Sequence, residues 1–422
     1  MIQTIHLAPG VVLRHYPDGR FKTAIVSIQL LRPMCREEAA LNALLSSVLL
    51  RGSKNYPDMR AITVRQDELY GISIPPLLRR IGNIQTLGLF CGFLEDRFAL
   101  PGDEIMAPSL DLVRELLLEP KLTDGCFDPE FVESEKRNLI ADIESELNDK
   151  RSYAATRMLR AMCAGDSLAV PRQGTVEDVR AITPQSLYDH YRKVLRTSPA
   201  EFFYVGSAPA EQVARCLMPL AEALAAEPIA LPPHTPLIPQ AQPREFSESM
   251  DVNQCKLSMG FTTCVDQNHP DYVAMQVFNA VYGSGMTSKL FVNVREKLSL
   301  CYYAGSGYYG SKGIVTVSSG IDEGNYELAK AEILHQLALT AGGEITEAEL
   351  EAAKQGLISG LRSVPDSPSA LENFYGTLFI AGKNDDPDQR IAAVRAVTAG
   401  DVARCAATLK LHTVFFLKGE AK

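Results

Sequence analysis

Two stretches of the chain alternate apolar with small or polar positions at a period of two, Ile84 to Gly92 and Gly313 to Gly320, and this predicts strands. Longer stretches place apolar residues three to four apart, as a helix with one buried face does. These are Asp128 to Met162 and Glu323 to Leu339. Thr346 followed by Glu349 has the form of a capping box and predicts a helix running to about Leu361. Within Gly283 to Tyr303, GSGMTSKLFVNVREKLSLCYY, the residues Leu290, Phe291, Val294 and Leu298 form one apolar helical stripe. Gly283 and Gly285 mark a turn before it, and Leu300 to Ala304 reads as the entry to a strand. Seven residues is close to two helical turns, so Arg295 and Tyr302 share a side if the helix persists to about Leu298.

The order of these patterns repeats. A helical segment containing Val64-Arg65-Gln66-Asp67-Glu68-Leu69-Tyr70 passes into Gly71-Ile72-Ser73-Ile74, and Val294-Arg295-Glu296-Lys297-Leu298 passes into Cys301-Tyr302-Tyr303. Later, Ile182-Thr183-Pro184 opens a helix followed by the strand Phe202 to Val205. Val397-Thr398 likewise opens a helix followed by Val414 to Leu417. Between the echoes lies EPIALPPHTPLIPQAQP, which holds six of the 25 prolines and almost no charge, an extended linker. The expected organisation is an N-terminal domain over 1–226, a proline-rich linker over 227–245 and a C-terminal domain over 246–422. Strands grouped with long helices, without strict βαβ alternation, predict an α+β class. Each duplicated domain would pack its helices on a mostly antiparallel sheet.

Composition narrows the function. The 422 residues carry 51 acidic against 42 basic side chains, and the net charge of −9 disfavours nonspecific nucleic-acid binding. No apolar run approaches the length of a membrane span, and the N-terminus lacks the pattern of a signal or transit peptide. Nine cysteines are dispersed, never as CxxC, which reads as free thiols in a cytoplasmic setting. No glycine loop in strand-to-helix context suits a nucleotide, since GSGMTS lacks the phosphate-binding lysine.

The segment GSGMTSKLFVNVREKLSLCYY resembles the C-terminal signature of the pitrilysin/insulinase family of zinc metallopeptidases, the inverzincins, which reads SSRLF…REKxGLAY. In that family the Arg and the Tyr seven residues later help hold the substrate peptide, and the matching positions are Arg295 and Tyr302. Taken without the motif, Arg295 reads as a helix-end arginine whose stem covers apolar surface, and Tyr302 as an ordinary strand residue. Active members also carry HxxEH on an N-terminal helix, with two His on zinc and Glu as general base. The landmark after that motif is kept as Leu49-Leu50-Arg51-Gly52-Ser53-Lys54-Asn55-Tyr56-Pro57. Counting back places Ala43, Leu44, Leu45, Ser46 and Ser47 at the five motif positions, so both His and the Glu are missing. The family's E-x6-E helix pattern appears as Glu135 to Asp142, which puts Asp142 at the third-ligand position.

Neither Ala nor Ser supplies an imidazole, so no metal is expected on this chain and no zinc cofactor with it. Ser46-Ser47 has no His/Asp constellation to make a nucleophile, and Asp142, Glu144, Glu146 and Asp149 read as the solvated face of a charged helix. Loss of the zinc motif beside retention of Arg295 and Tyr302 makes this an inactive peptidase homologue by resemblance, with no catalytic residue of its own. The expected role is the Arg/Tyr-bearing subunit of a heterodimer, binding peptide together with a zinc-bearing paralogous peptidase subunit. The alternative is self-association as a homodimeric peptide-binding or scaffold protein. Neither reading calls for a nucleic acid or a membrane.

Overall fold

The computed structural model describes residues 2–240 and 242–420, which fall into two compact units. Unit 1 comprises Met1–Glu144, Val170–Pro233 and Val364–Asn384, and unit 2 comprises Ser145–Ala169, His234–Ser363 and Asp385–Lys422. A cut at the proline-rich linker follows the order of the chain but not its packing. The segment 145–169 of the first half belongs to unit 2, and 364–384 of the second half belongs to unit 1.

Unit 1 holds β1 (Gln3–Ala8), β2 (Val11–Pro17), β3 (Thr23–Pro33), β4 (Pro76–Ile81), β5 (Ile84–Leu94), the short hairpin β6 (Leu122–Thr123) and β7 (Cys126–Phe127), and β8 (Ala200–Gly206). Unit 2 holds β9 (Arg244–Met250), β10 (Cys255–Thr262), β11 (Cys301–Tyr309), β12 (Ile314–Ile321) and β13 (Lys410–Gly419). The first sheet runs β4, β5, β3, β8, β2, β1 and the second β11, β12, β10, β13, β9. The orders superpose strand for strand, with β1 as an extra edge in unit 1. In both, one pair is parallel, β2 with β8 and β9 with β13, and the others are antiparallel. The fold is therefore α+β and internally duplicated, as the echoing sequence patterns imply.

The central strands read as almost continuous apolar runs because both of their faces are covered. In β3, Ala24, Val26, Ile28 and Leu30 enter the main core of unit 1, whereas Ile25 packs with Phe203, Val205, Leu371 and Tyr375 on the opposite face. That opposite face is closed by the helix Pro368–Ile380. It also carries a buried charge: Glu372, fully shielded, accepts from Ser27 Oγ at 2.8 Å, Gln29 Nε2 at 3.2 Å and both terminal nitrogens of Arg79 at 2.9 and 2.8 Å. Unit 2 repeats the device. Val414 and Phe416 of β13 face one core, while Phe415 and Leu417 pack with Ala154, Met158 and Met162 of the helix Lys150–Met162. Gly260 makes that contact possible, since a Cβ there would lie 2.5 and 2.6 Å from the sulfurs of Met162 and Met158.

Strands and caps follow the local pattern. β5 and β12 occupy the two alternating runs, and the helix Glu347–Ser363 starts at Thr346, whose N and Oγ1 donate to Glu349 Oε2 at 2.8 and 3.0 Å. The long run Asp128 to Met162 differs from expectation: it is broken into the helices Pro129–Ser145 and Lys150–Met162. Asp149 causes the break, because its carboxylate accepts from the backbone N–H of Arg151 and Ser152 and so starts a second helix. No helix among the described residues is long and apolar enough to cross a membrane.

Candidate functional site

Unit 2 presents the Arg/Tyr segment at the end of its sheet. The helix Tyr272–Tyr282 ends at Gly283, whose carbonyl accepts from Ser306 N at 2.9 Å. A Cβ on Gly283 would stand 2.6 Å from Ser306 Oγ, so glycine is what lets β11 approach the helix end. Ser306 Oγ completes the join by donating to Asn279 Oδ1 at 2.8 Å.

The next helix, Leu290–Lys297, is a π-helix. Its i→i+5 pattern ends with Leu298 N donating to Asn293 O at 3.2 Å. Side chains support this unusual winding. Asn293 Nδ2 donates to Lys289 O and to Gln336 Oε1, each at 3.0 Å, and Lys297 Nζ donates to Asn293 Oδ1 at 2.9 Å. Lys289 itself is buried and paired with Glu349 at 2.9 Å. Burial pushes the Glu349 carboxyl up, but the bonds from Thr346 and Lys289 outweigh it and hold the group below its usual range.

The predicted apolar stripe is corrected here. Leu290 and Val294 are fully buried, but Leu298 is 50% exposed. The helix stops at Lys297, and Ser299, with φ of 50°, turns the chain away. This left-handed position is where the family pattern has Gly, and Ser is strained there. The seven-residue spacing of Arg295 and Tyr302 is thus a π-helix, a left-handed turn and a strand entry, not two turns of one α-helix.

Arg295 lies with its guanidinium carbon 4.5 Å from the centroid of the Phe291 ring, and its Nε is 3.4 Å from Glu296 Oε1. Its side chain is 41% exposed, and its two terminal nitrogens have no hydrogen-bond partner among the described residues. Tyr302 is 67% exposed and sits in the bulge between Cys301 and Tyr303, where β11 slips against β12. No other strand of the described residues pairs with β11, so it closes one end of the sheet. Burial pushes the neighbouring Cys301 thiol up, against smaller opposing effects of Ser319 and the Arg295 charge. The spacing of an aromatic four residues before Arg295 is the signal that could have found Phe291. Asn293 and Gln336 carry no such local sign, since their bond joins two separate helices.

The zinc-motif positions lie in unit 1. Ala43, Ser46 and Ser47 are on the helix Arg36–Val48, with Ala43 and Ser46 buried and Ser47 half-buried. Ser46 Oγ is 3.4 Å from the carbonyl oxygens of both Asn42 and Leu77. Asp142 is exposed on the helix Pro129–Ser145. Among the described residues no three His, Cys, Asp or Glu side chains are grouped to hold a metal, so this donor set does not fit a zinc centre. One residue before Ala43, Asn42 donates to Gln85 Oε1 at 2.8 Å and its Oδ1 meets His190 Nε2 at 2.7 Å. Burial lowers the His190 pKa to about 4, so the ring is neutral there. Glu38 on the same helix is pushed up by burial, yet Arg32 and Lys193 bring its pKa down to about 2.

Known proteins resemble this chain in sequence and in overall fold. A family model described as the peptidase M16 inactive domain matches residues 181–357. The Bacillus subtilis (strain 168) protein named "Probable inactive metalloprotease YmfF" is 29% identical over 410 residues, covering 97% of this chain and 96% of its own. A shorter match, to an uncharacterized zinc protease of Rickettsia bellii, is 26% identical over 159 residues, 37% of this chain and 38% of that one. Among solved structures, a conserved protein from Enterococcus faecalis V583 superposes with a TM-score of 0.93 at 28% identity, covering 100% of this chain and 99% of the other. A peptidase M16 inactive domain from Pseudomonas fluorescens superposes with a TM-score of 0.79 over 100% and 98% of the two chains, and at 16% identity it speaks for the fold alone.

Proposed function

We propose that this chain, similar to the peptidase M16 inactive domain over residues 181–357 and to a probable inactive metalloprotease over nearly its whole length, is the Arg/Tyr-bearing subunit of a peptide-binding pair whose zinc-bearing member is a paralogous chain. The observation that carries this reading is the state of Arg295: a guanidinium held over Phe291 with both terminal nitrogens unpartnered, on the segment that also exposes Tyr302. Two terminal nitrogens with no acceptor among the described residues suit a peptide carbonyl or carboxylate. The hydroxyl of Tyr302 adds a second donor. No catalytic role falls to either residue on this chain, because Ala43, Ser46 and Ser47 supply neither a metal ligand nor a general base. Donors of this sort, aimed at a carbonyl that a partner's metal polarises, are worth about 10² in rate. The nine dispersed cysteines, five of them buried, support a cytoplasmic setting.

Coexpression with HxxEH-bearing relatives and a peptide-cleavage assay test this directly. The complex is expected to cleave peptide, with Arg295→Ala lowering the rate by about 10²-fold and Tyr302→Phe by less. Failure of any such chain to co-purify, or full activity of both variants, defeats the proposal. The unpaired side of β11 favours a second reading, a homodimer that accepts an extended peptide by strand addition. A tight homodimer that binds peptide without any zinc-bearing chain would decide for it.

A further inference from the structure

Arg295 is a half-buried, long side chain on a helix of only eight residues, and it lies against that helix. Its guanidinium lies 4.5 Å from the centroid of Phe291, one residue short of the π-helical repeat behind it, and Nε faces Glu296. An aromatic ring under one face of a guanidinium attracts it through the ring quadrupole and also restricts its tilt. With one face covered and Nε turned to Glu296, the edge bearing the two unpartnered terminal nitrogens is what Arg295 offers to a ligand. Phe291 is held in turn by the winding of the helix, which Asn293 fixes through Lys289 O and Gln336 Oε1.

We infer that Phe291 is a positioning residue for Arg295: its ring sets the plane of the guanidinium so that the N–H fork meets an oxygen acceptor of the bound peptide edge-on. This rests on the peptide-binding reading above. It assigns Phe291 a part in recognition rather than in the core, in keeping with its half-buried environment between the fully buried Leu290 and Val294.

The test is a double-mutant cycle on the full chain with its zinc-bearing partner, using Phe291→Leu, Arg295→Ala and both together. Leu keeps the apolar bulk but has no ring face. The chain contains no Trp, so a randomised peptide pool carrying one tryptophan reports binding against a clear background once the partner's own signal is subtracted. Phe291→Leu is expected to weaken binding by about two- to five-fold, the size of an exposed cation–π contact, and Phe291→Tyr to restore it. On the Arg295→Ala background Phe291→Leu should have no further effect. A second readout needs no peptide: the Nε–H order parameter of Arg295 should fall from the rigid toward the flexible range in Phe291→Leu and stay high in Phe291→Tyr. Equal weakening on both backgrounds, or an unchanged order parameter, overturns the inference and leaves Phe291 a packing residue. If Arg295→Ala itself leaves binding unchanged, the peptide-binding reading falls and the inference falls with it. That outcome is distinct from one in which Arg295→Ala weakens binding and Phe291→Leu does not.

Discussion

Restoring the zinc motif is the sharpest way to ask how far this chain has moved from a peptidase. The perturbation is the triple substitution Ala43→His, Ser46→Glu and Ser47→His, made together and singly. Ser47 is half-buried and should accept imidazole, but Ser46 is 1% exposed and its Oγ already stands 3.4 Å from two carbonyl oxygens. A glutamate there brings about 1–3 kcal/mol of overpacking. Its carboxylate would also be buried against carbonyls, with a pKa raised by some units at about 1.4 kcal/mol each, which brings the total to roughly 3–6 kcal/mol. Against the roughly 5–15 kcal/mol that stabilises a typical domain, this is a severe loss. The sign of its pH dependence follows. The carboxyl pKa is raised in the folded state, so the destabilisation is full above that raised value. It shrinks as pH falls toward the unfolded value of about 4.3. Urea unfolding at neutral and mildly acidic pH, with and without zinc, measures both effects. Three ready ligands would let zinc reverse the loss, since structural zinc sites contribute about 10 kcal/mol or more at neutral pH. Asp142, exposed on its helix, gives no sign of such readiness. The expected result is therefore a destabilised variant whose urea midpoint zinc does not recover. Wild-type stability together with one tightly held zinc per chain would refute the reasoning.

Two further outcomes follow from buried ionisable groups in unit 1. Glu372→Ala should lower unfolding stability by about 2–4 kcal/mol, because Arg79, Ser27 and Gln29 lose their shared acceptor. Pairing it with Arg79→Leu should recover part of the loss; no recovery in urea melts would contradict the ion-pair account. His190 has a folded-state pKa of about 4, below its ordinary 6.5, so the stability it contributes is full above pH 6.5 and is lost as pH falls through that window. The loss amounts to roughly 3 kcal/mol at the acid end, and His190→Gln should flatten the pH dependence between those two values.

What could be read from the sequence was local. Period-two runs located β5 and β12, the Thr346/Glu349 capping box located one helix start, and the openings read at Thr183 and Thr398 are helix starts too, because each of these signals lies within a few residues. The duplication was legible in the order of elements and is matched by the two strand orders. The π-winding was not legible, since Leu290, Phe291 and Val294 fit an α-helical stripe equally well and the deciding bond comes from Gln336 on another helix. Nor was the turn at Ser299, where only the family's glycine hints at a left-handed residue. The helix break at Asp149 could have been found: an acidic residue followed two and three positions later by backbone donors is a cap, and a run of charge obscured it. The assignment of 145–169 and 364–384 to units of the opposite half is set by packing across long stretches of chain, which no local period encodes.

That exchange of helices has a consequence for synthesis. The sheet of unit 1 is complete in sequence once Gly206 has been made, but the helix that covers Ile25, Phe203 and Val205 is Pro368–Ile380. Roughly 150 residues separate Pro233 from Asn384, an interval of roughly 10–30 s at ordinary translation rates. Throughout that time the nascent unit carries an uncovered apolar sheet face. The residues Ser27 and Gln29 on that face, waiting for the carboxylate of Glu372, keep it partly wettable until the helix arrives.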